Sequence, residues 1–343
     1  MTQKRPKLSI SILDTKRITP LEWDGYQSFP TITDVDGELL VGFRRAVNIS
    51  EELRQRMDHG MAGDIYTTRS TDGGITFERP ELVISHAQEQ TNEHDALVTH
   101  LSEGKVLLIS RTHTSELRRN FFSLSTDGGR TFSDRHPLDL PGGEWASFGH
   151  FIPALDDEKM FIGSFYNGPG CGTFRLNPET GEISQQAYIY EYFPEYRLNE
   201  TSITRLPSGR ILALMRQAPC MDGLFKAYSD DDGRTWSTPR PIGLYGEAPS
   251  LKVLPDGRVL AIYRGMIRKN PKCRVTLTIS TDEGETWSHP QTLAWYKGGR
   301  FHGGYGDLAV NDKGQVIAVY YISRKQEAPV VERMVFEITP DKH

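Results

Sequence analysis

Residues 250–264 read SLKVLPDGRVLAIYR: a short apolar stretch, a Pro-Asp-Gly turn, and an apolar run that ends on arginine. Asp-Gly between two hydrophobic runs is a hairpin signal, because glycine supplies the positive φ of the turn and the flanking runs pair as strands. The same unit occurs five more times: TITDVDGELLVGFRR (31–45), ALVTHLSEGKVLLISR (96–111), HFIPALDDEKMFIGSF (150–165), SITRLPSGRILALMR (202–216) and DLAVNDKGQVIAVYY (307–321). Registered on Gly37, Gly104, Glu158, Gly209, Gly257 and Gly314, the units step by 67, 54, 51, 48 and 57 residues. A period near fifty fits one four-stranded propeller blade per repeat.

A second pattern, S-x-D-x-G-x-T-[FW], interleaves with the first. It reads STDGGITF from Ser70, STDGGRTF from Ser125, SDDDGRTW from Ser229 and STDEGETW from Ser280. The steps are 55, 104 and 51, so the middle one is two units, with a decayed copy near LNPETG at 176–181. Asp and Gly specify a tight turn there. Together the repeats predict an all-β fold, a six-bladed β-propeller of four-stranded antiparallel blades. It spans 1–343 as one domain, with the N-terminal strand KLSISIL (7–13) completing the blade that ends in ERMVFEIT (332–339). Such closure leaves no long free edge.

The hairpin register also aligns side chains. Nine residues before each turn stand Ser28, Asp95, Gly149, Glu200, Ala248 and Tyr305; seven after it stand Arg44, Arg111, Phe165, Arg216, Arg264 and Tyr321. The two strands run oppositely, so both rings are expected at one mouth of the central funnel, bringing carboxylates, a tyrosine and arginines together. Glycines at 303, 304 and 306 flank Tyr305, as expected where backbone passes close to a ligand.

Composition excludes several classes. A net charge of −5 from 40 basic and 45 acidic residues gives no reason to expect nucleic acid or an anionic membrane surface. No apolar run reaches the roughly 20 residues of a membrane helix. The start, MTQKRPKLSISILD, has no apolar stretch of signal-peptide length, so a cytoplasmic chain is expected, or a secreted one whose leader has been removed. Cys171, Cys220 and Cys273 form no CxxC pair, and the Asp-rich turns lack the twelve-residue calcium pattern. No metal and no cofactor is expected. NGPGCG (167–172) precedes no predicted helix and reads as a loop rather than a phosphate cradle.

At this point the sequence resembles the sialidase (neuraminidase) superfamily, whose Asp boxes the S-x-D-x-G-x-T segments match. That resemblance implies a six-bladed propeller over essentially the whole chain and a retaining exo-glycosidase that hydrolyses a terminal sialic acid or related acidic sugar from glycoconjugates. GYGDL (304–308) looks like the segment of the nucleophilic tyrosine, Tyr305, and NETSI (199–203) like that of its activating glutamate, Glu200. Arg216 matches the second arginine of the family's carboxylate-binding triad, and Arg274 stands where the third belongs. Asp58, in the first-blade loop, stands where the acid/base aspartate lies. ISEELRQRMDHG (49–60) around it also reads as a short helix with Ser50 as its cap.

These roles make chemical sense together. Planar arginine forks suit a carboxylate, and a neutral tyrosine avoids the repulsion that an anionic nucleophile meets beside one. The chain departs from the family in blade 1, where Ser28-Phe29-Pro30 replaces the segment of the first triad arginine. Arg44 and Arg45 are candidates to compensate, and Arg264, Asp95 and Glu247 are further ligand-binding candidates. The departure keeps two alternatives open: a same-fold glycosidase or lyase of other sugar specificity working through Glu200, Asp95 or Glu247, and a non-catalytic glycan-binding propeller.

Overall fold

A computed structural model describes residues 5–48, 61–85, 92–114, 118–140, 145–168, 170–191, 197–218, 223–267, 270–297, 300–324 and 328–339. Asp58 and Cys220 lie outside them. Among the described residues the chain forms strands β1 to β24 in six four-stranded antiparallel sheets. The fold is all-β, a six-bladed β-propeller. No described helix is long and apolar enough to cross a membrane.

The innermost strands are β2 (Tyr26–Val35), β6 (Glu93–Ser102), β10 (Trp145–Pro153), β14 (Arg197–Arg205), β18 (Gly246–Val253) and β22 (Gly303–Val310). Each contacts the next around the ring, and β22 contacts β2. Five blades are four consecutive strands. The sixth takes β22, β23 (Val316–Ile322) and β24 (Val330–Ile338), with β1 (Ile10–Arg17) pairing antiparallel to β24 on its outer side.

The second strand of each blade explains the apolar runs. Along β23 every residue is buried, and β15 (Ile211–Ala218) is nearly so. A sheet stacked between two others has no solvent face, so its strands lose the polar-apolar alternation. Among the described residues the core divides accordingly into six apolar clusters, each spanning one pair of adjacent blades. One joins Ile262 and Leu277 to Leu308 and Phe336, and another joins Val41 and Phe43 to Val319 and Tyr321 across the closure of the ring. The remaining four join blades 1 and 2, 2 and 3, 3 and 4, and 4 and 5.

The four S-x-D-x-G-x-T segments follow the third strands of their blades and share one hydrogen-bond pattern. Ser70 Oγ donates to Asp72 Oδ1 (2.8 Å) and accepts from the Gly74 amide (2.9 Å), while Thr76 Oγ1 donates to Asp72 Oδ2 (2.6 Å). Ser125, Ser229 and Ser280 repeat these contacts with Asp127, Asp231 and Asp282. At the decayed copy, Asn177 Oδ1 accepts from the amides of Glu179 (3.0 Å) and Thr180 (3.3 Å). The side-chain cap survives there in amide form.

Candidate active site

Every inner strand breaks register near its start. The shifts fall between Ser28 and Thr31, His94 and Ala96, Phe148 and Ile152, Asn199 and Ser202, Glu247 and Ser250, and Gly303 and Gly306. Each bulge holds one residue in the left-handed region: Phe29 (φ 53°), Asp95 (45°), Gly149 (72°), Glu200 (40°), Ala248 (51°) and Gly304 (104°). Bulges re-aim side chains next to active sites. Left-handed φ costs a non-glycine residue of order 1–3 kcal/mol, and such strain gathers at functional positions.

The ring expected from equal spacing is therefore corrected in two blades. Phe29, not Ser28, holds the bulge in blade 1, and Gly304, not Tyr305, holds it in blade 6. The hairpin before Gly37 is one residue shorter than the common register, and that before Gly314 is one longer. Ser28 is fully buried opposite Arg44, while Phe29 lines the funnel together with Asp95, Phe148, Ala248 and Tyr305.

At the mouth, Tyr305 Oη donates to Glu200 Oε1 at 2.6 Å. Arg216 Nη1 donates to the same oxygen at 2.6 Å and lies 3.4 Å from the phenol oxygen. Its other fork nitrogen is 3.3 Å from Glu247 Oε1. Glu247, fully buried, is shared with Arg264 Nη1 at 3.1 Å. Arg264 also donates to the Gly303 carbonyl (2.9 Å) and to Tyr321 Oη (3.1 Å), and its guanidinium sits 4.3 Å from the centre of the Tyr305 ring.

This packing accounts for the glycines around the tyrosine. A Cβ on Gly304 would stand 2.6 Å from Arg264 Cγ and 2.7 Å from Tyr296 Oη, at a φ that other residues rarely adopt. Burial and the negative charge of Glu200 drive the Tyr305 pKa well above its ordinary value, against the opposing charges of Arg264 and Arg216. The resting phenol is neutral, with Glu200 positioned to take its proton.

Asp95 pairs with Arg111 at 3.0 Å. Burial raises the Asp95 pKa, Arg111 opposes this, and the charge of Glu200 adds to the rise. Arg111 also hydrogen-bonds Tyr166, a residue outside the two sequence rings. Arg44 is buried behind the mouth, where it donates to the Glu93 carbonyl (2.7 Å) and to Asn92 Oδ1 (2.9 Å). Thus Glu200, Tyr305, Arg216, Glu247 and Arg264 form one connected cluster.

Of the expected residues, Asp95 and Arg44 stand beside that cluster rather than in it, and Arg45 and Arg274 point away from it. Arg45 turns outward to Asp24 (2.7 Å) and lies over the Trp23 ring, because it alternates with Arg44 along its strand. Arg274 pairs with Gly265 one strand farther out and donates to Thr292 Oγ1 (3.1 Å), so Arg264 rather than Arg274 reaches Tyr305.

The funnel floor is built from residues outside the two sequence rings. His150 Nε2, from blade 3, meets Asp307 Oδ2, from blade 6 directly opposite, at 2.6 Å. Asp307 also accepts from Ser250 Oγ (2.5 Å) and from the Ile32 amide (2.8 Å), so four blades are tied at the axis. Its position two residues after Tyr305 was the available signal, since residues i and i+2 share a strand face. A larger cleft on the flank, lined by Leu82, Phe121, Arg130 and Phe132, holds none of these residues.

A family description, BNR repeat-like domain, matches residues 178–317. No curated protein matches the chain in sequence. Among solved structures, a protein of unknown function from Dyadobacter fermentans is 20% identical with a TM-score of 0.75, covering 96% of this chain and 99% of that one. The intramolecular trans-sialidase from Ruminococcus gnavus is 11% identical (TM-score 0.68; 93% and 95% covered). The alpha-L-arabinanase of Penicillium chrysogenum is 14% identical (TM-score 0.66; 95% and 98% covered). At these identities the likeness is one of fold: this chain has the six-bladed propeller that sialidases and an arabinanase share.

Proposed function

We propose that this protein is a glycoside hydrolase that removes terminal sugars from glycans with retention, using Tyr305 as nucleophile and Glu200 as its proton acceptor. The observation that carries the reading is the 2.6 Å hydrogen bond from Tyr305 Oη to Glu200 Oε1 at the mouth of the funnel, with Arg216 on the same oxygen. A nucleophile within hydrogen-bond reach of its base, with a third group orienting the base, is the general signature of covalent catalysis.

In the first step Tyr305 Oη bonds to the anomeric carbon while its proton passes to Glu200. The glycosidic C–O bond breaks, and the departing oxygen takes a proton from an acid. Arg216, 3.4 Å from the phenol oxygen, stabilises negative charge developing there. In the second step the conjugate base of that acid takes a proton from water as the water oxygen attacks the anomeric carbon, the tyrosyl bond breaks, and the phenol regains its proton from Glu200. The resemblance assigns the acid/base role to Asp58. Among the described residues, Asp95 has the raised pKa that suits an acid.

The proximity of Asp95, Glu200 and Glu247 favours a second reading, in which two carboxylates carry the reaction and Tyr305 only holds Glu200. Turnover of fluorogenic aryl glycosides by the wild type and Tyr305→Phe decides between the two. A loss of about 10²-fold or more with unchanged melting supports the tyrosine. Near-normal turnover in the variant refutes it.

A further inference from the structure

We propose that the sugar occupying the funnel is uncharged: a neutral glycosyl unit seated by its apolar face on Phe29 and Phe148 and held through its hydroxyls by Asp95 and Glu200. The inference rests on the glycosidase reading of the same site and departs from the acidic sugar that the sequence resemblance implies.

The wall is the first reason. Among the described residues, the recess below the mouth is lined by Phe29, Leu97, Phe148, Tyr305, Asp95 and Asp307 with small residues between them, and no lysine or arginine lines it, Arg216 and Arg264 standing at its rim beside Tyr305. His150 does line it, but its Nε2 is engaged by Asp307 at 2.6 Å. In blade 1, where a cation would complete an anion clamp, the bulge instead presents Phe29. Its ring lies 5.3 Å from Tyr305, 5.5 Å from Tyr321 and 6.1 Å from His94, nearly parallel to the last. Phe148 stands edge-on to Tyr305 at 6.3 Å. Both phenylalanines are partly exposed, giving apolar faces to the carbon face of a sugar ring.

The arginines at the mouth are the second reason, because their terminal Nη groups already end on protein carboxylates, carbonyls or a hydroxyl, although the Nε atoms of Arg111 and Arg216 do not. Arg264 is 1% exposed and lies against the Tyr305 ring; Arg44 is 2% exposed and bound to Asn92 and Glu93. Arg216 is taken by Glu200 and Glu247, and Arg111 by Asp95. A ligand carboxylate would have to displace a protein carboxylate from one of these pairs and then lie beside it, a like-charge contact.

The polar atoms left without a partner supply the third reason. Glu200 Oε2 is buried and unpartnered, as are the Nε atoms of Arg111 and Arg216. A hydroxyl donates and accepts, so hydroxyls satisfy both kinds of atom. A carboxylate, which only accepts, could meet the Nε donors but not the glutamate oxygen, so a hydroxyl has to reach Glu200.

The test is a panel of methylumbelliferyl glycosides on the full chain: neutral hexosides, deoxyhexosides and pentofuranosides against an α-sialoside and a β-glucuronide. Melting-temperature shifts with the corresponding methyl glycosides run alongside. Turnover confined to neutral glycosides is expected, with Phe29→Ala raising KM about tenfold while kcat changes less than threefold. Cleavage of the sialoside or glucuronide as fast as any neutral glycoside overturns the inference and leaves the hydrolase reading intact. If nothing is cleaved, the hydrolase reading fails, and binding judges the inference separately. Stabilisation by neutral sugars alone supports it; stabilisation by the acidic sugars, or by none, overturns it.

Discussion

Replacing Asp307 by alanine removes the acceptor on which three other blades converge. The imidazole of His150, the hydroxyl of Ser250 and the amide of Ile32 lose their partner at 2.6, 2.5 and 2.8 Å, in a position where Asp307 is 2% exposed. Deleting one member of a buried, hydrogen-bonded carboxylate network costs about 3–5 kcal/mol, mostly through the groups left unpaired. Unfolding entropy near 2.1 cal/mol/K per residue amounts to roughly 0.7 kcal/mol/K over 343 residues. The expected fall in melting temperature is therefore about 4–7 °C at pH 7, followed by circular dichroism. The loss should shrink in acid. Burial tends to raise the Asp307 pKa, but His150, Ser250 and the Ile32 amide outweigh it and hold it below the usual value. A depressed folded pKa contributes stability that is complete above the unfolded value of about 4 and lost as pH falls below it. A shift under about 2 °C at pH 7, or one equally large at pH 3, would refute the view that this carboxylate ties the blades together.

Gly304→Ala should destabilise by about 1–3 kcal/mol through left-handed strain alone, and lower turnover further, because its Cβ would press on Arg264 and Tyr296 beneath the Tyr305 ring; kinetics and melting on one preparation check both. Asp72→Asn should flatten the acid limb of stability. Burial raises the Asp72 pKa, yet the bonds from Thr76, Ser70 and Ile75 bring it to about 2, so its contribution, complete above about pH 4, is lost as pH falls toward 2. Melting curves from pH 7 to pH 2 for wild type and variant test this, and parallel curves would refute it.

Repetition made the architecture legible in the sequence. Six copies of one hairpin and four of one turn can bury their apolar runs only by stacking side by side, so blade number and strand count followed from local pattern. The same register put Glu200, Asp95, Arg216, Arg264 and Tyr305 at one end of the molecule, since residues equivalent in a repeat are equivalent in a ring. What the sequence could not decide was the count of residues between bulge and turn. One residue fewer in blade 1 and one more in blade 6 move Phe29 and Gly304 onto the ring, and with period-two geometry a single-residue slip changes which side chain faces inward. The choice of Arg264 over Arg274 and the meeting of His150 with Asp307 across the axis were likewise settled only by closure of the ring. They are contacts between strands far apart along the chain, and no local pattern encodes which of several chemically similar side chains will arrive at the same point in space.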